Sequence, residues 1–196
     1  MPILAWRNTV ALAAAGAALT GPAFVTPAHA QPAPTPATAF TAQVEHAGLS
    51  RSQATSLQQE VQRYLDQLGG TQVSANRIDW LDGHMLVAVP GEKLARDLRT
   101  GEVASGINDC DYKNFCGWKG ANFTGSFWER ESCTYHEIPD GWNSGGSWWN
   151  YQTPGTVARM YGKSYNLVYQ TKPASRDYEV FDQHGNWGPV WYVKPC

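Results

Sequence analysis

The chain has 196 residues, with 15 Lys and Arg against 17 Asp and Glu, and an aromatic content of 12% that includes nine Trp. That balance provides no basic surface for nucleic acid or an anionic membrane, and the length allows one or two small domains. Four Cys, an even number, suit an oxidising compartment and two disulfides rather than free thiols.

Residues 1–30 read as a secretory signal peptide. Arg7 supplies the positive start, residues 10–19 form a short apolar run, Gly21-Pro22 breaks it, and Ala28-His29-Ala30 is a small-x-small cleavage site. The run is shorter than the ~20 residues a membrane span needs, so the expectation is an exported, extracellular chain with no membrane segment. Arg7 is the only charged residue before position 31, which leaves 14 basic and 17 acidic residues after cleavage, a net of −3. Residues 31–47 are rich in Pro, Ala and Thr, with Pro32, Pro34 and Pro36 alternating. They read as an extended, unpacked linker.

Residues 48–100 carry the pattern of a small α-β-β unit. Ser50 with Gln53 forms a capping box, and Leu49 stands at the staple position. Ala54, Leu57, Val61, Leu65 and Leu68 follow at helical spacing until Gly69-Gly70, which predicts a helix over 51–68. Residues 77–81 and 84–89 then flank Asp82-Gly83, the signature of a two-residue hairpin turn. In that register Trp80 faces Met85 and Ile78 faces Val87, all on the side the helix covers. His84 reads as solvated. Such a unit is marginal alone and needs a partner to dock on. Residues 91–100 bring a weak helical pattern at 93–98, and 101–108 are a connector.

Residues 109–196 alternate aromatics with turn residues. Strands are expected at 115–118, 126–130, 147–152, 157–161, 166–169, 178–182 and 190–193. Turn signals lie between them, among them Pro154-Gly155 and residues 185–189. Short strands at this spacing predict a mainly β sandwich or barrel.

The sharpest stretch is 110–125, CDYKNFCGWKGANFTG. Cys110 and Cys116 bracket five residues, and Trp118, Phe123 and Gly125 fall as aromatic-x4-aromatic-x-Gly. Mechanically, this is a hairpin folded back on its sheet, covered by a ring, with Gly at a backbone angle that a Cβ would forbid. The combination resembles the βγ-crystallin-type peptidase inhibitors, secreted metalloproteinase inhibitors known mainly from actinobacteria. The resemblance covers 109–196, and its specific part is 110–125. It implies a βγ-crystallin-like Greek-key β-sandwich preceded by the α-β-β unit, with a second motif copy placed at 181–188, where Phe181, Trp187 and Gly188 echo the order but not the spacing.

Four Cys allow three pairings. The spacing of the resembled family matches Cys110–Cys116. Cys133–Cys196 then ties the last residue to the domain and closes a long loop, worth about 4 kcal/mol in the chain-entropy model. The family's function implies an exposed loop that enters the cleft of an extracellular protease. A rigid loop loses little entropy on binding, so affinity is kept. The family's second short Cys pair around the reactive loop has no counterpart here. Two loops are candidates: Asp111, Tyr112, Lys113, Asn114 and Phe115 inside the short disulfide, and the loop from Tyr135 to Gly146, which includes His136, Glu137, Ile138, Pro139 and Asp140.

No catalytic residues, metal ligands or cofactor are assigned. His136-Glu137 lacks an H-E-x-x-H frame, and Pro139 opposes a helix there. His184 reads as a surface turn residue. Many βγ-crystallin domains bind calcium, but the usual paired Asn/Asp before Ser/Thr-Ser is absent around 152–157 and 143–148. Alternative readings are a carbohydrate- or calcium-binding module or a structural protein. Trp142, Trp148 and Trp149 are the sugar-platform candidates, although adjacent strand residues point to opposite faces. The expectation is a monomeric, non-enzymatic, exported inhibitor.

Overall fold

A computed structural model describes residues 40–100, 106–177 and 179–196. The expected signal segment 1–30, the linker through 39 and most of the connector, 101–105, lie outside the described residues.

The fold begins earlier than the composition suggests. Helix α1, Thr41–His46, occupies the end of the expected linker. Its Phe40, Val44 and Ala47 pack against the core, and the Gln43 side chain accepts a 2.8 Å bond from the Ala75 amide. An apolar anchor overrides the Ala/Thr-rich composition here. Helix α2, Arg51–Leu68, matches the predicted span. The Gln53 amide donates to Ser50 Oγ at 3.2 Å, and the Ser50 amide to Gln53 Oε1 at 3.0 Å. Leu57, Val61 and Tyr64 form its buried stripe.

Three strands follow, not two: β1 Thr71–Ser74, β2 Arg77–Trp80 and β3 Gly83–Leu86. The β2–β3 register differs from the predicted one by a turn shift of one residue. Ile78 stands opposite Met85 and Trp80 opposite Gly83, so Leu81-Asp82 make the turn. The reason lies in the neighbouring strand. A Cβ on residue 83 would sit 2.0 Å from the Glu129 carbonyl oxygen, so Gly83 serves a close backbone approach rather than the turn. Residues 93–98 form no helix. Leu94 bridges Gly125, and the Gly125 amide donates to the Lys93 carbonyl at 2.8 Å.

Eight further strands complete two antiparallel sheets: β4 Asn114–Gly120, β5 Thr124–Arg130, β6 His136–Glu137, β7 Gly145–Tyr151, β8 Arg159–Tyr161, β9 Leu167–Gln170, β10 Phe181–Asn186 and β11 Tyr192–Lys194. β10 runs into the predicted 185–189 turn, because Gly185 pairs directly with Gly146. One sheet has the order β1-β2-β3-β5-β4-β7-β10, the other β6-β11-β8-β9. Pairing of β3 with β5 carries the first sheet from the 71–86 strands directly into the C-terminal region.

A repeat is written in this order. β4 and β5 form a hairpin and β7 pairs with β4; β8 and β9 form a hairpin and β11 pairs with β8. The third strand of each set crosses over, β6 onto β11 and β10 onto β7. The two hairpins also correspond residue by residue. Trp118 pairs Phe127 and Met160 pairs Tyr169. Five residues beyond Trp118 and Met160 stand Phe123 and Tyr165, both at φ +58°. The second hairpin is therefore at 160–167. The expected copy at 181–188 is the crossed-over strand β10 and the turn after it.

The core lies between the first sheet and its cover. Phe115, Trp128 and Trp148 point to one side, where α2 covers the β1–β3 end and the small sheet covers the rest through Met160, Val190 and Val193. Cys116, Trp118, Phe127 and Trp149 point to the other side, under Leu86, Ala95, Cys110 and Phe123.

Candidate functional site

Both expected disulfides are present, Cys110–Cys116 with Cα atoms 5.8 Å apart and Cys133–Cys196 with Cα atoms 5.2 Å apart. Inside the short one, Asn114 and Phe115 are buried in β4, which leaves Asp111, Tyr112 and Lys113 at the surface. Lys113 takes φ +85°, and its amide donates to the Tyr151 carbonyl at 2.9 Å. The Asp111 amide donates to Glu129 Oε2 at 3.0 Å. Glu129 is buried, and its other oxygen lies 2.8 Å from His84 Nδ1. His84 is thus a packed partner of a buried carboxylate rather than a solvated turn residue. The turn shift explains this, because it brings His84 into β3.

The second candidate loop is largely docked. His136 and Glu137 pair with β11, while Ile138, Pro139 and Trp142 are buried. Gln67 of α2 holds the loop from below: its Nε2 donates to the Ile138 carbonyl at 3.0 Å, and its Oε1 accepts from the Asp140 amide at 2.7 Å. Asp140, Gly141 and residues 143–145 remain exposed. The Trp platform of the sugar reading is buried too. Trp142 donates to Tyr64 Oη, Trp148 lies under β8 and β9, and Trp149 stacks on Tyr151.

Between β5 and β6 lies a short segment with a different character. Of residues 131–135, Glu131, Cys133, Thr134 and Tyr135 are exposed. Four ties hold the segment. The Glu131 amide donates to the Asp82 carbonyl at 2.8 Å, the Ser132 hydroxyl donates to the Asp82 carboxylate, Cys133 is bonded to Cys196, and His136 Nε2 lies 3.1 Å from the Ser132 carbonyl, to which it donates. Tyr135 then packs edge-on to Tyr161 and Tyr165 at 5.1 and 5.2 Å between ring centres. Only Tyr135 of this segment was legible as a candidate, because the anchor is Asp82, about fifty residues upstream.

Asp82 gathers the surrounding charges. Arg130 Nη1 lies 2.8 Å from it, and the guanidinium sits 3.5 Å over the Trp80 ring. Partial burial alone would raise the Asp82 pKa, but the Ser132 hydroxyl and Arg130 outweigh it and hold the carboxyl below its usual range. Burial holds the His136 imidazole below its ordinary value. Ser, His and Asp meet here without forming a catalytic triad. The same ring nitrogen, Nε2, faces both Ser132 Oγ at 3.2 Å and Asp82 at 3.5 Å, and the hydroxyl donates to the carboxylate. A triad needs the carboxylate on the far nitrogen and the hydroxyl donating to the imidazole. The arrangement clamps a segment; it does not activate a nucleophile.

No family model, curated protein or solved structure matches the chain. Among the described residues, no helix is long and apolar enough to cross a membrane, and no three His, Cys, Asp or Glu side chains group as metal ligands.

Proposed function

We propose that the chain is an exported, non-catalytic inhibitor of an extracellular protease, built on two Greek-key motifs of the βγ-crystallin type. The paired hairpins with exchanged third strands support that fold reading, together with the aromatic-x4-aromatic-x-Gly signature of 118–125. By resemblance the target class is a metalloprotease. The observation that carries the reading is the clamped, exposed segment 131–135. A segment already fixed by a disulfide and by Asp82 saves the ordering cost of about 0.5–1.5 kcal/mol per side chain on binding, and it resists the displacement that completes hydrolysis.

The test is to titrate the oxidised protein against thermolysin-type, subtilisin-type and trypsin-type enzymes. Stoichiometric inhibition of the thermolysin type is expected. Inhibition of no class, with the protein itself surviving uncut, overturns the function. The triple variant E131A/T134A/Y135A should then lose inhibition while Y112A/K113A keeps it; the reverse pattern moves the contact to the short disulfide loop.

A further inference from the structure

The outer face of the small sheet is built in rows. Backbone register places Glu137, Tyr192, Tyr161 and Leu167 side by side across the four strands, and Lys194, Arg159 and Gln170 in the next row. Alternation turns the intervening Val193 and Met160 into the core. Tyr165 of the second hairpin folds onto the first row and stacks on Tyr192, with ring centres 4.5 Å apart and planes within 8°. Tyr165 lies exposed on this face, whereas the aromatics on the outer face of the large sheet lie under Ala95, Cys110 and Phe123.

The charges on this face are also uncommitted. Among the described residues, Arg159, Lys163 and Lys194 form no carboxylate ion pair, as is also true of Arg51, Lys93, Lys113, Lys172 and Arg176, and Glu137 is the carboxylate at the end of the first row. Lys194 Nζ lies 5.7 Å over the Tyr135 ring and Lys163 Nζ 4.8 Å over Trp191, so these side chains rest on aromatic surface instead.

We propose that this face is a binding site for an anionic polysaccharide of the polyuronate type. The axial C–H face of a pyranose lies flat on a Tyr ring, and Tyr161 together with the exposed Tyr165, which is stacked on and backed by Tyr192, provides such rings. Two residues further along the strands, about 7 Å away, Arg159 and Lys194 meet the sugar carboxylates with charge-assisted hydrogen bonds. Size selects the ligand class. Four strands about 4.8 Å apart and three residues deep give roughly 200 Å², well short of the ~800 Å² per partner that a stable protein interface buries. A short run of sugar rings fits that area.

Tyr135 of the 131–135 segment borders this face, so the test reads polymer binding and not protease inhibition. The oxidised full chain is run by affinity electrophoresis through gels containing polygalacturonate, its fully methyl-esterified form, or poly-L-glutamate. Retardation by polygalacturonate is expected, with both other polymers weaker by about tenfold or more. Equal binding of the ester means that the cations play no part. Equal binding of polyglutamate means that charge alone acts and favours an acidic protein partner. Either result, or no retardation at all, overturns the proposal. The variants Y161A/Y192A and R159E/K194E should each weaken polygalacturonate binding by about tenfold while keeping the far-ultraviolet circular dichroism of the parent; retained binding in either overturns the site.

Discussion

The two hairpins, β4–β5 and β8–β9, share a backbone plan and differ in what covers them. Phe123 and Tyr165 occupy the same position at the same positive φ. Phe123 is 7% exposed and packs edge-on against Trp118 at 5.0 Å, whereas Tyr165 is 54% exposed and lies on the solvent side of Tyr192. The first hairpin is also pinned. Ser147 Oγ accepts from the Phe123 amide and donates to the Gly120 carbonyl, both at 2.8 Å. Gly125 takes φ +80° there, while its counterpart Leu167 keeps an ordinary angle. The same fold-back thus builds a core element in one half and a display surface in the other, and burial decides which.

The largest test of that contrast is a pair of truncations. Phe123→Ala should cost about 3–5 kcal/mol, and Tyr165→Ala under about 1 kcal/mol, read as urea midpoints. Similar losses at both sites would break the comparison. The disulfides divide the same way. C133S/C196S removes the constraint on a 63-residue separation and should cost about 4 kcal/mol, against about 2 kcal/mol for C110S/C116S with its separation of 6. Ser147→Ala should cost about 1–3 kcal/mol, because the buried Phe123 amide loses its acceptor; a smaller loss would mean that water replaces the hydroxyl.

The finest test is titration. Burial lowers the His136 pKa in the folded protein, so the unfolded chain binds the proton more readily. Stability should be constant above the unfolded value of about 6.5 and should fall as pH drops below it. His136→Gln should remove that slope while leaving the separate loss below about pH 4, where Asp82 takes up its proton. An unchanged slope near pH 6 would assign it elsewhere.

Helix α2 was fully legible, since its cap, stripe and stop are local signals. Most of the C-terminal strands were legible as well, because aromatic runs broken by Gly and Pro carry their own period; β6 and the true extent of β10 were not. Four further features were not. The Asp82-Gly83 pair has two readings locally, and only the approach of Glu129 decides between them. β1 escaped because its buried positions are polar. Ser74 is inside, and neighbouring Asn76 donates to the Val87 and Arg96 carbonyls and accepts from the Leu98 amide. The second hairpin escaped because Met160 and Leu167 replace the aromatic and the Gly of the first. The clamp on 131–135 joins residues remote in sequence, and no spacing rule reaches that far.

The joining of β3 to β5 has a consequence for how the chain withstands cleavage. Met85 pairs with Trp128 and Leu86 with Phe127 along one edge of β5. Trimming the chain back to residue 109 would not release a smaller, self-contained domain. It would uncap a ladder of unpaired amides and carbonyls beside two large rings, the surface from which strands of separate molecules join. The α-β-β unit is, by its position, the guard against such joining. A proteolytic nick ahead of residue 109, followed by loss of the fragment, should make the remainder aggregate.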